Sequence, residues 1–177
     1  ENNYCNENSL LRPISQYAIE KVEIEKALMD HPNSISFRLA TVFGMSPRMR
    51  IDLLVNDFTY RAVNDHFIVL FESHFKRNYI HVRDVSRVFQ HALKNHDKMK
   101  GEIFNVGLSD ANVSKKELCE NIQKHLPDFI FIDEQVGKDP DQRNYIVSNE
   151  KIEATGFKQK FSLDHGIGEL VKGYTMI

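Results

Sequence analysis

The sequence predicts an α/β fold, and three observations point to it. Short runs rich in β-branched and aromatic residues alternate along the chain with segments of helical period. Of the 177 residues, 41% are hydrophobic and 27% charged, enough apolar material for a sizeable core without cross-links. Capping residues, glycines and prolines separate the runs.

The first sixteen residues carry Asn2, Asn3, Asn6, Asn8 and Ser9 and read as a loop or the cut end of a longer protein. Ser15 is a plausible N-cap for a helix over about 16–30, which must stop before Pro32 because the residue preceding a proline disfavours helical backbone. Residues 34–42 are strand-like, with β-branched and aromatic side chains. Apolar residues at 51, 54, 55, 58 and 62 give a helical period over 50–63. Phe67–Leu70 and Tyr79–Val82 read as short extended stretches, and Asp84 as the N-cap of an amphipathic helix bearing Val85, Val88, Phe89, Ala92 and Leu93. Ile103–Val106 is a buried-type strand. Ser114 followed by Glu117 is a capping box opening a helix to about Leu126. A strand over 129–132, a polar loop over 133–144, a strand at 145–147, a short helix from Asn149 to Thr155 and a last helix capped by Ser162 complete the chain. No internal repeat or low-complexity tract appears.

Composition narrows the function. Lys and Arg number 23 against 25 Asp and Glu, a net charge of −2, which argues against a nucleic-acid or anionic-membrane partner. Cys5 and Cys119 are far apart, so neither a disulfide framework nor a zinc knuckle is indicated, and a reducing, cytoplasmic setting is expected. No apolar run approaches the ~18 residues of a membrane span, and no signal peptide opens the chain. No GxGxxG or GxxxxGKS motif is present, so this stretch alone is not expected to cradle a nucleotide in the ordinary way. The eight histidines never adopt a tight ligand spacing, and no metal site is expected. A GxSxG nucleophile elbow is also lacking.

Two constellations could carry chemistry. Tyr17 and Lys21 are four residues apart, so on a helix they share one face. A free tyrosine titrates near ~10, and a neighbouring cation favours its phenolate; reaching ~7 takes roughly 4 kcal/mol, part of which an ammonium can supply. Six tyrosines and 14 lysines give about 0.5 such pairs by chance, so the spacing alone fits a plain helix surface better. The second set is arginines: Arg48 and Arg50 after Pro47, Arg77 before Tyr79, and Arg143 in the loop. Guanidinium forks suit phosphates, although for any single arginine a solvated surface charge is the commoner outcome.

The order of the segments is more specific than any one of them. Pro13-x-Ser15-x-Tyr17-x-x-x-Lys21, then Phe37-Arg38-Leu39-x-Thr41-Val42-Phe43-Gly44, then Arg77-x-Tyr79-Ile80-His81-Val82-x-Asp84-Val85, then Gly101 to Gly107, resemble successive blocks of extended short-chain dehydrogenase/reductases, in particular the NAD-dependent epimerase/dehydratase group acting on nucleotide sugars. Asp141-x-Arg143-x-Tyr145, with Lys151 and Gly156-Phe157 after it, is similar too. The resemblance spans nearly the whole chain. It lacks the family's glycine-rich half and the catalytic Ser or Thr upstream of the tyrosine, which implies the C-terminal portion of a longer enzyme.

By this resemblance, residues 1–44 and 81–107 are the remnant of a Rossmann domain with a parallel sheet, and 45–80 and 108–177 a small α/β substrate-binding domain. Tyr17 is the general acid/base, and Lys21 holds the cofactor ribose and stabilises the phenolate. Arg77 and Arg143 bind the diphosphate of a nucleotide sugar. Thr41 stands where many members have Asn near the substrate, and Asn56 is a candidate polar group facing it. Glu20 and Met45 depart from the usual Ser and Pro, which bears on the subgroup. The implied cofactor is NAD or NADP, and the implied partners are the N-terminal half of the same protein and, at full length, a second copy in a homodimer. The alternative is a non-catalytic NAD(P)- or ligand-sensing relative, or an interaction module.

Overall fold

The computed structural model describes residues 4–134 and 144–176. Strand β1 (Tyr4–Cys5) is followed by helix α1 (Gln16–Met29), strands β2 (Ile35–Leu39) and β3 (Thr41–Phe43), helix α2 (Leu54–Asn64), and strands β4 (Phe67–Phe71) and β5 (Lys76–His81). Helices α3 (Val82–Lys94) and α4 (His96–Met99), strands β6 (Glu102–Val106) and β7 (Asn112–Ser114), helix α5 (Lys115–His125) and strand β8 (Ile130–Glu134) come next. Strand β9 (Ile146–Val147) and helices α6 (Glu150–Ala154) and α7 (Leu163–Thr175) end the chain. The α/β expectation holds.

Most pairings are parallel, as helical crossovers between strands require. β2 runs beside β6 with Phe37 opposite Phe104, β3 beside β5 with Thr41 opposite Tyr79, and β4 beside β8 with Val69 opposite Ile132. Only β5 and β7 pair antiparallel among the described residues, with Arg77 opposite Val113. The single strand expected over 34–42 is two. Ala40 is the break: its N–H donates to the Val106 carbonyl at 2.9 Å, the last bond to β6, and the chain then changes partner to β5. One extended segment therefore serves two sheets.

Helix starts follow side-chain caps. Ser15 accepts from the Ala18 N–H, Ser162 from His165, and Ser114 with Glu117 forms the expected reciprocal box. The start of α3 corrects an expectation. Its N-cap is His81, whose Nδ1 accepts from the Arg83 N–H at 3.2 Å, and Asp84 lies inside the first turn. Asp84 is fully buried and faces away from its own helix start. Its carboxylate accepts from the N–H groups of Lys160 (3.0 Å) and Phe161 (3.0 Å) and from Arg87. Helix α2 begins at Leu54 and not near 50. The opening residues are also more ordered than a loop: β1 pairs with β9, and Arg38 donates to the Glu7 carbonyl at 3.0 Å.

The core gathers Phe43, Val55, Tyr79, Ile80, Leu118, Ile122, Ile167 and Leu170, all essentially without exposure. Helix α7 packs on α2 and α5 and closes that core over β5. Burial pushes the Cys119 thiol up to about 12, so it is an inert core group. Helix α1 differs. None of its residues is buried, and Ile19, Ile24 and Leu28 remain 37%, 51% and 43% exposed. Among the described residues no helix is long and apolar enough to cross a membrane.

Candidate functional site

A cavity of about 590 Å³ opens where β3 ends, between the 46–54 segment and the N-termini of α2 and α5. Its floor is Thr41 to Gly44. Gly44 has φ +113°, and a Cβ there would stand 2.6 Å from His81 Nε2, so only glycine lets the chain turn this closely over the imidazole. The turn is then held by Asn56. Its Oδ1 accepts from the Gly44 N–H at 3.1 Å and its Nδ2 donates to the Arg50 carbonyl at 3.0 Å. Asn56 thus lines the cavity with its amide engaged by protein on both sides.

Among the described residues, Arg48, Arg50, Arg77 and Lys115 are the cations on this lining, and Asp52 is the acid. Arg48 and Arg50 are exposed at the rim, and Arg50 pairs with Asp52, whose carboxyl it holds below the usual range. Arg77 and Lys115 belong to the inner wall and are 5% and 4% exposed. Arg77 donates to the Lys76 carbonyl at 3.0 Å, and its guanidinium lies 5.7 Å from the centre of the Tyr145 ring. Asn144 and Tyr145 are themselves docked on β5: Asn144 Oδ1 accepts from the Lys76 N–H at 3.0 Å. Arg143 lies outside the described residues.

Thr41, Asn56 and Arg77 therefore meet in one cavity. Tyr17 and Lys21 are not on its lining. They share an exposed face of α1, with the Lys21 ammonium 5.4 Å from the centre of the Tyr17 ring and Tyr17 70% exposed. Helix α1 is joined to the cavity floor through Glu25 and Arg38, which makes a two-bonded ion pair between α1 and β2. Lys115 escaped the sequence reading. Its only local signal is its place just after the Ser114 cap; its place on the lining that also includes Arg77 depends on the β5–β7 pairing, and β7 is a three-residue strand without alternation.

Beneath the floor, His81 is fully buried, stacked on Phe161 at 4.8 Å. Because Nδ1 accepts from Arg83, Nε2 carries the proton and donates to Glu169 Oε2 at 3.1 Å. Burial, outweighing Glu169, holds this imidazole below its ordinary pKa.

The model of the NAD dependent epimerase/dehydratase family matches residues 1–107, more than half of the chain. The chain belongs to this family. Epimerase/dehydratase structures share its fold. UDP-glucuronic acid 4-epimerase from Bacillus cereus, in complex with UDP-glucuronic acid and NAD, superposes with a TM-score of 0.83 at 18% identity, covering 99% of this chain and 57% of that one. UDP-glucose 4-epimerase from Thermotoga maritima, with UDP-glucose, gives 0.76 at 24% identity over 93% and 55%. RMD from Pseudomonas aeruginosa, complexed with NADPH, gives 0.80 at 15% identity over 98% and 60%. A curated relative, uncharacterized protein PB2B2.11 of Schizosaccharomyces pombe, is 24% identical over 98% of this chain and 57% of its own length. The chain spans little more than half of the relatives it matches. The largely parallel strand pairing described above is similar to the Rossmann-type arrangement of these structures.

Proposed function

We propose that this chain is the C-terminal portion of an NAD(P)-dependent nucleotide-sugar epimerase/dehydratase, in which Tyr17 and Lys21 carry out transient oxidation of a sugar hydroxyl. The observation that carries the reading is the pairing of an exposed, stacked Tyr17–Lys21 face with a cation-lined cavity held on the same strand rail. We read residues 1–44 and 81–107 as the dinucleotide-domain portion and 45–80 and 108–177 as the substrate domain.

A phenol open to a ligand with an ammonium against its ring suits the sugar–ribose end of a dinucleotide. When bound, NAD(P) supplies the hydride acceptor. The glycine-rich cradle for its pyrophosphate is not among these 177 residues. Tyr17 as phenolate takes the proton of the sugar hydroxyl, and the Lys21 ammonium stabilises that anion and binds the ribose hydroxyls. Arg77, with Arg143 two residues before the Tyr145 ring that covers it, holds the diphosphate by bidentate hydrogen bonds. Thr41 offers a hydroxyl from the cavity floor, and Asn56 shapes that floor through Gly44 and Arg50. The several complexes of similar fold that hold NAD or NADPH and UDP sugars support these classes of ligand.

The test is Tyr17→Phe in the full-length gene product, assayed for NAD(P)-dependent conversion of nucleotide sugars. Turnover should fall about 10²- to 10⁴-fold with folding intact. Undiminished turnover removes Tyr17 from the chemistry.

A further inference from the structure

We propose that the outer face of the β4–β8 sheet is a docking surface for a second copy of this chain, two such faces packing together about a twofold axis. It uses no residue of the cavity lining and stands independently of the function proposed for that cavity.

Strand β4 is an unbroken apolar run, Phe67-Ile68-Val69-Leu70-Phe71, and β8 opens with Ile130-Phe131-Ile132. A strand with one wet face alternates apolar and polar residues. A run without alternation is the pattern of a strand covered on both faces, which is the usual condition of parallel strands. Here one face is covered: Ile68 and Leu70 are buried, and α2 and α5 pack against the pair. The other face is bare among the described residues. The register sets Phe67 beside Ile130, Val69 beside Ile132 and Phe71 beside Glu134, so five of the six outward positions are large and apolar. Their exposures are 41% for Phe67, 41% for Val69, 39% for Phe71, 58% for Ile130 and 49% for Ile132.

Size and symmetry select the occupant. At ~150–200 Å² for a whole large apolar residue, the five expose roughly 400 Å² in one contiguous patch, a size that marks an interaction site. Homodimer interfaces are about 65% apolar, so this core corresponds to roughly 600 Å² per copy. Two copies then bury about 1,200 Å², which clears the ~1,000 Å² of a specific interface. An apolar face with no charge at its centre complements itself. A twofold axis through Val69 and Ile132 lays each copy's side chains on the other's, at the ~10 Å spacing of stacked sheets. Glu134, at the end of β8, falls at the rim, where charged residues belong.

The experiment is sedimentation velocity on the full-length gene product from about 1 to 100 μM. Val69→Lys and Ile132→Lys should each raise the dissociation constant of one association step at least about 100-fold, because each buries unpaired ammonium groups at the axis. Both positions are exposed in the single chain, so thermal unfolding should stay near wild type. Val69→Thr keeps the branched shape, should the lysine disturb the strand, and should still weaken association about 10-fold. As a second readout, Val69→Cys should form an intermolecular disulfide with an added oxidant, above the background of wild type with Cys5 and Cys119. Either readout failing in a folded variant overturns the proposal. So does a wild type that stays monomeric at every concentration; slow reaction of the Val69→Cys thiol with a labelling reagent then assigns the cover to the rest of the same chain.

Discussion

Arg38, in the middle of β2, holds Glu25 of α1 with two parallel hydrogen bonds, Nε to Oε2 at 2.8 Å and Nη2 to Oε1 at 2.7 Å. Both side chains are mostly buried, at 23% and 13% exposure. Because α1 buries no residue of its own, this pair is a main attachment of the Tyr17 helix to the sheet. The bond to Arg38 holds the Glu25 carboxyl below its ordinary 4.5. Its stabilisation is therefore present above about pH 4.5 and is lost as pH falls through the lowered value. Glu25→Gln should reduce stability by about 1–3 kcal/mol in chemical denaturation, remove that acid-limb dependence, and speed amide exchange in α1 selectively.

His81, beneath the cavity floor, gives a second pH dependence. Adding a proton places a hydrogen on Nδ1, against the Arg83 N–H that it now caps. Facing it are Glu169, Arg83, Asp84 and His165, and burial outweighs the attraction of Glu169. The folded state thus prefers neutral His81. Stability should be full above the ordinary value of 6.5 and decline as pH falls below it. His81→Asn should be less stable at pH 8, and the gap to wild type should narrow toward pH 5 in denaturation midpoints.

Gly44→Ala should destabilise the protein by about 1–3 kcal/mol or more. The cause is double: φ is +113°, and the new methyl would meet His81 Nε2 at 2.6 Å and Cδ2 at 3.0 Å. Gly156→Ala is the control for the backbone contribution alone. Its φ is +89° with nothing within 4 Å of the added carbon. The difference between the two measured losses reports the contact with His81.

Asp84→Ala should cost about 2–4 kcal/mol, because the Lys160 and Phe161 N–H groups and Arg87 lose a shared buried acceptor. Limited proteolysis should then cut near 158–162 first, since the loop ahead of α7 is tethered there.

Much of this was legible in the chain. The Ser15, Ser114 and Ser162 caps place three helices to within a residue, because capping depends on neighbours only. Tyr17 and Lys21 share a face for the same local reason. The failures lie where distant groups decide. Asp84 has the look of a cap, yet the histidine three residues earlier takes that role and frees the carboxylate for a loop 76 residues away. The break at Ala40 has no glycine or proline to announce it, because its cause is the change of neighbouring strand from β6 to β5. Arg77 and Lys115 reach one cavity lining through a strand of three residues, too short for a pattern.

The continuous segment from β2 into β3 has a mechanical consequence. Arg38, which clamps the helix carrying Tyr17, and Thr41, on the cavity floor, are separated by about 10 Å of extended backbone at ~3.3 Å per residue. Both ends of that span are bonded into sheets, to β6 on one side of Ala40 and β5 on the other. Helix and floor must then travel as one piece when a ligand enters. The facing wall is tied to the same floor, because Asn56 of α2 bridges the Gly44 N–H and the Arg50 carbonyl, so the cavity is braced from both sides.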